Sequence, residues 1–121
     1  MDEILVLDDV LDAVIMIKRI LERQGHRVAV FTEEEEALAY LRIRPVAVAI
    51  LDIRLKKMSG IAMLQEVKKI SPQTRVIMLT GYPTLETARQ ARQLGAFEYC
   101  IKPIDKKDLE DKVAQALAAA G

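Results

Sequence analysis

Five polar residues stand at the ends of short apolar runs, and together they carry the functional groups of a phosphoryl-transfer site. They are Asp8, Asp9, Asp52, Thr80 and Lys102. Carboxylates are the ligands that a hard divalent cation such as Mg²⁺ takes up in proteins, alongside water and phosphate oxygens. A hydroxyl and an amine can neutralise charge on the oxygens of a transferred phosphoryl group. These residue types favour phosphoryl chemistry if the fold brings them to one place.

Short apolar runs alternate with longer amphipathic ones, which is the pattern of repeated strand–helix units around a parallel sheet. The predicted strands lie near 3–7, 27–31, 46–51, 75–79 and 97–101. The predicted helices lie near 10–24, 33–43, 59–70, 84–94 and 105–119. Three of the strands lack polar–apolar alternation, as expected for strands covered by helices on both faces. We therefore predict an α/β fold, a doubly wound flavodoxin-like (βα)5 sandwich with one five-stranded parallel sheet.

Short right-handed crossovers order such a sheet most simply as 2-1-3-4-5, with the first and third strands adjacent. Asp8, Asp9 and Asp52 then converge at the switch point, where open α/β sheets bind ligands. Three carboxylates within ~5 Å repel by about 3 kcal/mol per pair at an effective dielectric near 20, so a cation must offset them. Lys102 is one candidate and Mg²⁺ is another. Asp52 stands centrally between the acidic pair, Thr80 and Lys102, and is the predicted phosphoryl acceptor.

Each of these features has an ordinary structural interpretation when taken alone. Aspartate after a strand is a common turn residue, and the pairs Thr80-Gly81 and Lys102-Pro103 are common in loops. Only their joint placement at consecutive strand ends favours a site. The acidic run Glu33–Glu36 is expected to face solvent, because acidic residues at a helix start are stabilised by the helix dipole.

Composition predicts one cytoplasmic domain over residues 1–121 and excludes several other classes. Eighteen basic and eighteen acidic residues give zero formal net charge, which argues against nucleic-acid binding by this domain. A single cysteine allows no internal disulfide and suits a reducing compartment. No apolar stretch reaches the ~20 residues that span a bilayer, so no membrane association is expected.

The same residues make the chain resemble the response-regulator receiver domains of two-component signalling, over essentially its whole length. The matching segments are Leu7-Asp8-Asp9, residues 51–60, Thr80-Gly81 and residues 95–103. The resemblance implies a phosphorylation-controlled switch. Such a switch accepts a phosphoryl group from a phosphohistidine of a sensor kinase or phosphotransfer protein, with Mg²⁺. It also implies that the domain catalyses its own phosphorylation and dephosphorylation and turns over no free substrate.

The resemblance assigns roles to the acidic residues. Asp52 would be the phosphoacceptor and would also contact the cation. Asp9 would bind Mg²⁺ directly and Asp8 would act through water, while the backbone carbonyl of Arg54 would be a further ligand.

The remaining matched residues would read out the phosphoryl group. Thr80 would hydrogen-bond it and move toward it, and Tyr99 would turn inward when Thr80 moves. Lys102 would pair with a phosphoryl oxygen, and its bond to Pro103 would be cis. The small residue Gly81 would leave room for the phosphodonor.

Two surfaces are expected to meet partners. The face of the first helix around Ala13, Ile17, Ile20 and Leu21 is sufficient to cover the sheet. A second stripe beside the reactive site would mark a docking surface. This stripe consists of Leu11, Val14, Ile15 and Lys18. The resemblance assigns the stripe, together with Pro103, to docking of the sensor kinase. Alternatively, a close-packed neighbour buries this stripe. The fourth helix, last strand and last helix would form the output face, used for a homodimer or a target.

Arg54 and Tyr82 lie two positions past Asp52 and Thr80, where family members tune hydrolysis of the acyl phosphate. We hypothesise that their bulk restricts the attacking water and gives a long-lived phosphorylated form. Alternatively, both side chains point outward into solvent.

Two departures from the family pattern are visible, and neither removes a reacting group. Lys56 stands where proline is usual, so the loop after Asp52 is expected to be less rigid, and Ile104 replaces a common phenylalanine. A hydrolase that uses a strand-end aspartate usually has a second acid two residues further on, which this sequence lacks. Because of Lys56, a phosphorylation-independent, receiver-like interaction module stays as the alternative function.

Overall fold

The computed structural model describes residues 3–55 and 58–120, and strands and helices alternate along both ranges. The strands are β1 (Glu3–Leu7), β2 (Arg27–Phe31), β3 (Val48–Leu51), β4 (Arg75–Thr80) and β5 (Glu98–Ile101). The helices are α1 (Leu11–Arg23), α2 (Glu34–Ile43), α3 (Gly60–Ile70), α4 (Leu85–Gln93) and α5 (Lys106–Ala120). All the predicted elements are present; the largest difference is at β3, which begins at Val48 rather than at residue 46. Lys56 lies outside the described residues. Within those residues, no helix combines the length and the apolar character required to cross a membrane.

The five strands form one parallel sheet in the order β2-β1-β3-β4-β5, which confirms the predicted topology. Leu7, the last residue of β1, lies opposite Leu51, the last residue of β3. Thr80 at the end of β4 lies opposite Ile101 at the end of β5. Because parallel strands end at the same edge, the residues that follow them emerge together there.

Helices cover both faces of the sheet, and the core is aliphatic. Leu5 and Leu7 belong to the cluster on the side of α2, α3 and α4. Ile4 and Val6, which alternate with them along β1, belong to the cluster on the side of α1 and α5. Strands buried on both faces need apolar residues at every position, which explains the missing alternation in their sequence.

Local chemistry fixes the helix ends near the sheet edge. Ser59 and Thr84 cap α3 and α4, and each side chain accepts a hydrogen bond from the amide three residues further on. Gly25 and Gly95, which follow α1 and α4, have a φ of 90°, a conformation that favours glycine. The two caps make α3 and α4 begin directly after the loops that leave β3 and β4.

Helix α1 corrects one sequence-based prediction. Its buried residues are Val14, Ile17 and Leu21, and Val14 is 0% exposed. The assignment of Val14 to a docking stripe is therefore wrong, because the sheet covers its side chain. Leu11 and Met16 are the exposed apolar residues, at 59% and 62%. Since α1 is apolar on nearly every side, its sequence did not determine which side faces the sheet.

Candidate functional site

Strand β1 brings two adjacent carboxylates to the edge of the sheet. Asp8 is 3% exposed, and its backbone N–H donates to the carbonyl of Phe31 at 3.2 Å, which extends the pairing with β2. Its Oδ1 accepts a hydrogen bond from the N–H of Val10 at 3.0 Å. Asp8 thus closes the turn into α1 with its own side chain. Asp9 follows it and is half-buried.

Strand β3 brings Asp52 alongside the end of β1. The Asp52 N–H donates to the carbonyl of Leu7 at 3.1 Å, so the pairing of the two strands continues into the site. The side chain is 6% exposed, and its Oδ1 accepts a hydrogen bond from the N–H of Arg54 at 3.4 Å. The backbone on both sides of Asp52 therefore fixes where its carboxylate lies.

The predicted cluster of carboxylates is present. One oxygen of each of Asp8, Asp9 and Asp52 lies within 4.8 Å of one from each of the others. Lys102 Nζ lies 2.5 Å from Asp8 Oδ2 and 3.7 Å from Asp52 Oδ2. Among the described residues, the Lys102 ammonium group lies within ion-pair distance of two of the three carboxylates, so the three acids outnumber this one positive charge. An oxygen-only ligand set with excess negative charge fits a hard divalent cation.

Electrostatics distinguish the two groups at the centre of the cluster. Burial raises the pKa of Asp52 and the charge of Asp8 raises it further, while Lys102 acts in the opposite direction. Burial alone lowers the pKa of Lys102, but its hydrogen bond to Asp8 and the charges of both carboxylates outweigh burial, so that pKa is raised. Asp52 thus carries the less favourable charge, which a bound cation would stabilise.

Thr80 ends β4 beside the cluster and is 0% exposed. Its Oγ1 accepts a hydrogen bond from the N–H of Tyr82 at 2.9 Å, and its carbonyl accepts one from the N–H of Lys102 at 2.7 Å. Because a hydroxyl can accept and donate at once, Thr80 can keep the first contact while donating to another oxygen.

Tyr99 on β5 contacts the first turn of α4. Its hydroxyl lies 2.7 Å from Thr87 Oγ1 and accepts a hydrogen bond from the N–H of Thr84 at 3.4 Å. Its ring packs against the core cluster on the side of α2, α3 and α4. Movement of Tyr99 would therefore change contacts of α4.

A cavity of about 600 Å³ opens beside Asp52; its lining residues are Asp9, Val10, Asp52, Arg54, Gly81, Tyr82 and Lys102. The guanidinium carbon of Arg54 lies 3.9 Å from the centroid of the Tyr82 ring, a cation–π contact. The two side chains stack on each other at the cavity, and both are also exposed to solvent, Tyr82 at 58%. That they restrict water and slow hydrolysis stays a prediction.

Pro103 and Gly81 have the properties that the resemblance implies. The bond between Lys102 and Pro103 is cis. A Cβ added at Gly81 would lie 3.9 Å from side-chain carbons of Lys102, an ordinary contact distance. Gly81 therefore leaves open the space next to the lysine.

Gly60 is a residue whose role the sequence alone does not indicate, beyond its place in the matched segment 51–60. A Cβ at this position would lie 2.1 Å from the carbonyl oxygen of Asp52 and 2.6 Å from the Cα of Ile53. The Gly60 N–H donates to the carbonyl of Ile53 at 2.7 Å. The start of α3 therefore rests directly on the backbone of Asp52, at a distance that only glycine permits.

Glu34 was also missed, since the run Glu33–Glu36 was expected to face solvent. Glu34 is 1% exposed, and its Oε2 accepts a hydrogen bond from the N–H of Met58 at 3.0 Å. A signal existed in the helical period: Leu38 and Leu41, four and seven residues further on, are buried on the same side of α2.

The other residues predicted to dock a kinase differ in their surroundings. Leu11 is exposed and Ile15 is partly buried against the core. Lys18 Nζ lies 2.8 Å from Glu22 Oε2. Pro103 lines an apolar groove of about 450 Å³ between α1 and the start of α5; the groove also includes Ala13, Met16, Ile20 and Ile104.

Comparison with known proteins gives a family and a set of relatives. The family model described as "Response regulator receiver domain" matches residues 4–114. The transcriptional regulatory protein ZraR of Escherichia coli O157:H7 is 35% identical over 116 residues, which are 96% of this chain. The chain spans about a quarter of that relative, 26% of its length.

Solved structures share the fold over the full sheet. A CheY-like response regulator receiver domain protein from Methanospirillum hungatei JF-1 has a TM-score of 0.96 and 32% identity, and covers 99% of this chain and 96% of its own. The beryllofluoride-activated NtrC4 receiver domain dimer has a TM-score of 0.95 and 26% identity, with 100% of each chain covered. The likeness includes every strand that bears a residue of the site.

Proposed function

This chain belongs to the family of response regulator receiver domains, whose function in two-component signalling is phosphorylation, and we propose how its own residues perform it. Asp52 accepts a phosphoryl group from a phosphohistidine of a sensor kinase or phosphotransfer protein. Residues 1–121 act as one cytoplasmic receiver domain, which contacts neither nucleic acid nor membrane itself.

In the proposed reaction a carboxylate oxygen of Asp52 forms a bond to phosphorus. The bond from phosphorus to the histidine nitrogen breaks, and its electron pair leaves with the imidazole. Asp8, Asp9, Asp52 and the carbonyl of Arg54 would hold Mg²⁺, which when bound would supply positive charge to the phosphoryl oxygens. Attack of water on phosphorus later releases phosphate and restores Asp52, so the domain turns over no free substrate.

Lys102 and Thr80 complete the proposed site and transmit its state. Lys102, now paired with Asp8, pairs instead with a phosphoryl oxygen, and the hydroxyl of Thr80 donates to another. The movement of Thr80 draws Tyr99 inward, away from Thr84 and Thr87 at the start of α4. The phosphoryl group thereby favours one of two arrangements of the face formed by α4, β5 and α5.

Two surfaces serve partners in this proposal. The kinase contacts Leu11, Ile15, Lys18 and Pro103, together with the exposed Met16 that lies in the groove beside Pro103. The face of α4, β5 and α5 mediates a homodimer or binds a target. A cavity of about 510 Å³ lies there, and its lining includes Leu85, Arg89, Arg92, Phe97 and Tyr99.

The observation that supports the proposal most strongly is the cluster of three carboxylates within 4.8 Å, faced by one lysine. Incubation with acetyl phosphate and Mg²⁺, followed by intact-mass spectrometry, tests it. We expect a single phosphoryl adduct, absent in Asp52→Asn and absent when EDTA removes the metal. Asp105→Asn is the matched control, because Asp105 is exposed and only caps α5.

The outcomes separate the functions that the sequence left open. An adduct that survives Asp52→Asn would refute the assignment of the acceptor. A chain that takes no phosphoryl group under any condition, yet binds its kinase, would be the phosphorylation-independent interaction module.

A further inference from the structure

We propose that Glu34 is a positioning residue of the phosphoacceptor site, because its buried carboxyl group holds the backbone at Met58, two residues before α3 begins. The inference rests on the proposed function of Asp52. Glu34 is 1% exposed, whereas its neighbours Glu35 and Glu36 are exposed on the same first turn of α2. One member of the acidic run therefore has an environment that the others lack.

The contact that Glu34 makes is directed at the backbone. Its Oε2 accepts the hydrogen bond of the Met58 N–H at 3.0 Å. Burial of a carboxylate is unfavourable unless hydrogen bonds compensate for it, and a bond to a charged acceptor is among the stronger ones. The N-terminus of α2 also favours negative charge at this position. The fold thus places a carboxyl group inside the molecule, where it accepts the hydrogen bond of the Met58 amide.

A short series of backbone contacts leads from that amide to the reactive carboxylate. Ser59, the next residue after Met58, pairs with Arg54 in an isolated antiparallel bridge. The Arg54 N–H in turn donates to Asp52 Oδ1 at 3.4 Å. The position of Met58 therefore influences both the Asp52 carboxylate and the carbonyl of Arg54, the proposed backbone ligand of the cation.

The hydrogen bond from Met58 to Glu34 gives this segment a directional contact. Ile53, Leu55 and Met58 pack against the core, but apolar packing is non-directional. A cation ligand must be held to within a fraction of an ångström, which requires hydrogen bonds around it. Helix α2 provides such a bond from outside the strands that bear the site.

Three variants and one control test the proposal by Mg²⁺ titration calorimetry and by hydrogen exchange of the Met58 amide in metal-free protein. In Glu34→Ala we expect the Met58 amide to exchange faster and the Mg²⁺ dissociation constant to rise about tenfold, the usual effect of removing a group that supports a ligand. Glu34→Gln retains an acceptor oxygen at the same reach, so it should bind Mg²⁺ nearly as the wild type does. Glu36→Ala changes an exposed acid of the same turn and should alter neither measurement.

Glu34→Asp keeps the charge but shortens the side chain, so it tests the contact if Glu34→Ala does not fold. We expect it to weaken Mg²⁺ binding as Glu34→Ala does. Wild-type Mg²⁺ affinity in folded Glu34→Ala or Glu34→Asp would overturn the proposal. Weakened affinity with unchanged exchange at Met58 would also overturn it, because the effect would then bypass the loop. A wild-type chain that binds no Mg²⁺ would instead refute the proposed function.

Discussion

At the scale of single residues, the two buried aspartates differ in how their oxygens are engaged. Asp8 Oδ1 accepts the Val10 amide and Asp8 Oδ2 is paired with Lys102 at 2.5 Å. Asp52 Oδ2 lies 3.7 Å from the same lysine, beyond hydrogen-bond distance. A carboxylate oxygen whose lone pairs accept hydrogen bonds is a weaker nucleophile. This difference supports the proposal that Asp52, and not Asp8, is the phosphoryl acceptor, which the sequence indicated only through the central place of Asp52.

The Arg54–Tyr82 contact leads to a prediction about the lifetime of the phosphorylated state. Arg54→Ala should speed the loss of phosphate from Asp52 about fivefold, since removing a cation–π contact worth about 1 kcal/mol opens the cavity to water. The decay of the adduct by intact mass, after removal of acetyl phosphate, measures this. Arg44→Ala is the matched control, because Arg44 lies 5.8 Å from the Tyr40 ring and does not line the cavity. An unchanged decay rate in Arg54→Ala would show that water reaches Asp52 by another side.

At the scale of elements, α3 begins directly against the backbone that follows β3. Gly60→Ala should destabilise the protein by about 3 kcal/mol, because the added Cβ would lie 2.1 Å from the carbonyl oxygen of Asp52 and force the loop to move. Gly81→Ala should cost less than about 1 kcal/mol, as its Cβ meets the Lys102 side chain at 3.9 Å. Urea denaturation measures both. Equal losses would mean that the loop accommodates the extra atom.

The exposed side of α1 gives a second prediction at this scale. Met16→Glu should slow phosphoryl transfer from the sensor kinase about tenfold, because a charge replaces an apolar side chain at the proposed docking groove. Phosphorylation by acetyl phosphate should not change, since Met16 does not line the cavity of Asp52. Ile43→Glu, at an apolar position of α2 that is 80% exposed, is the control. If Met16→Glu is slow with both donors, the defect lies in the site and not in docking.

The strands of this fold were easier to predict from the sequence than the orientation of its helices. Strand order and the clustering of Asp8, Asp9, Asp52 and Lys102 were predictable, because parallel strands deliver their ends to one edge. The side of α1 that faces the sheet was not, since Val14 lies in a helix that is apolar nearly all round. The burial of Glu34 runs against the usual behaviour of a charged residue type, and only its helical spacing from Leu38 indicates it. Local composition fails to predict burial where a tertiary contact, here the hydrogen bond from the Met58 amide, determines the surroundings of the side chain.

At the scale of the whole molecule, the acidic cluster affects stability. Asp52→Asn should raise the free energy of unfolding by about 1–2 kcal/mol at neutral pH without Mg²⁺, because it removes a buried charge that Asp8 repels. Urea denaturation at several pH values, with and without Mg²⁺, measures this. Saturating Mg²⁺ should shrink the difference, because a ligand that binds only the folded wild type stabilises it by mass action.

The pH dependence of that difference follows from the direction of the shift. Folding raises the pKa of Asp52 above its ordinary value of 3.8, so folding favours the protonated carboxyl. The stability linked to Asp52 is therefore fully present below pH 3.8 and is lost as the pH rises through the folded pKa. The advantage of Asp52→Asn should appear over that rise and vanish in stronger acid. An advantage that is independent of pH would mean that packing, not charge, explains the variant.

The ion pair between Lys102 and Asp8 joins residues 94 positions apart, one after the end of β1 and one after the end of β5. A ribosome must therefore release the segment through Lys102 before Asp8 can acquire this counter-charge. A product truncated ahead of β5 would keep the three aspartates but lack the lysine. A growing chain would therefore acquire this ion pair only after β5 has been synthesised and has paired with β4.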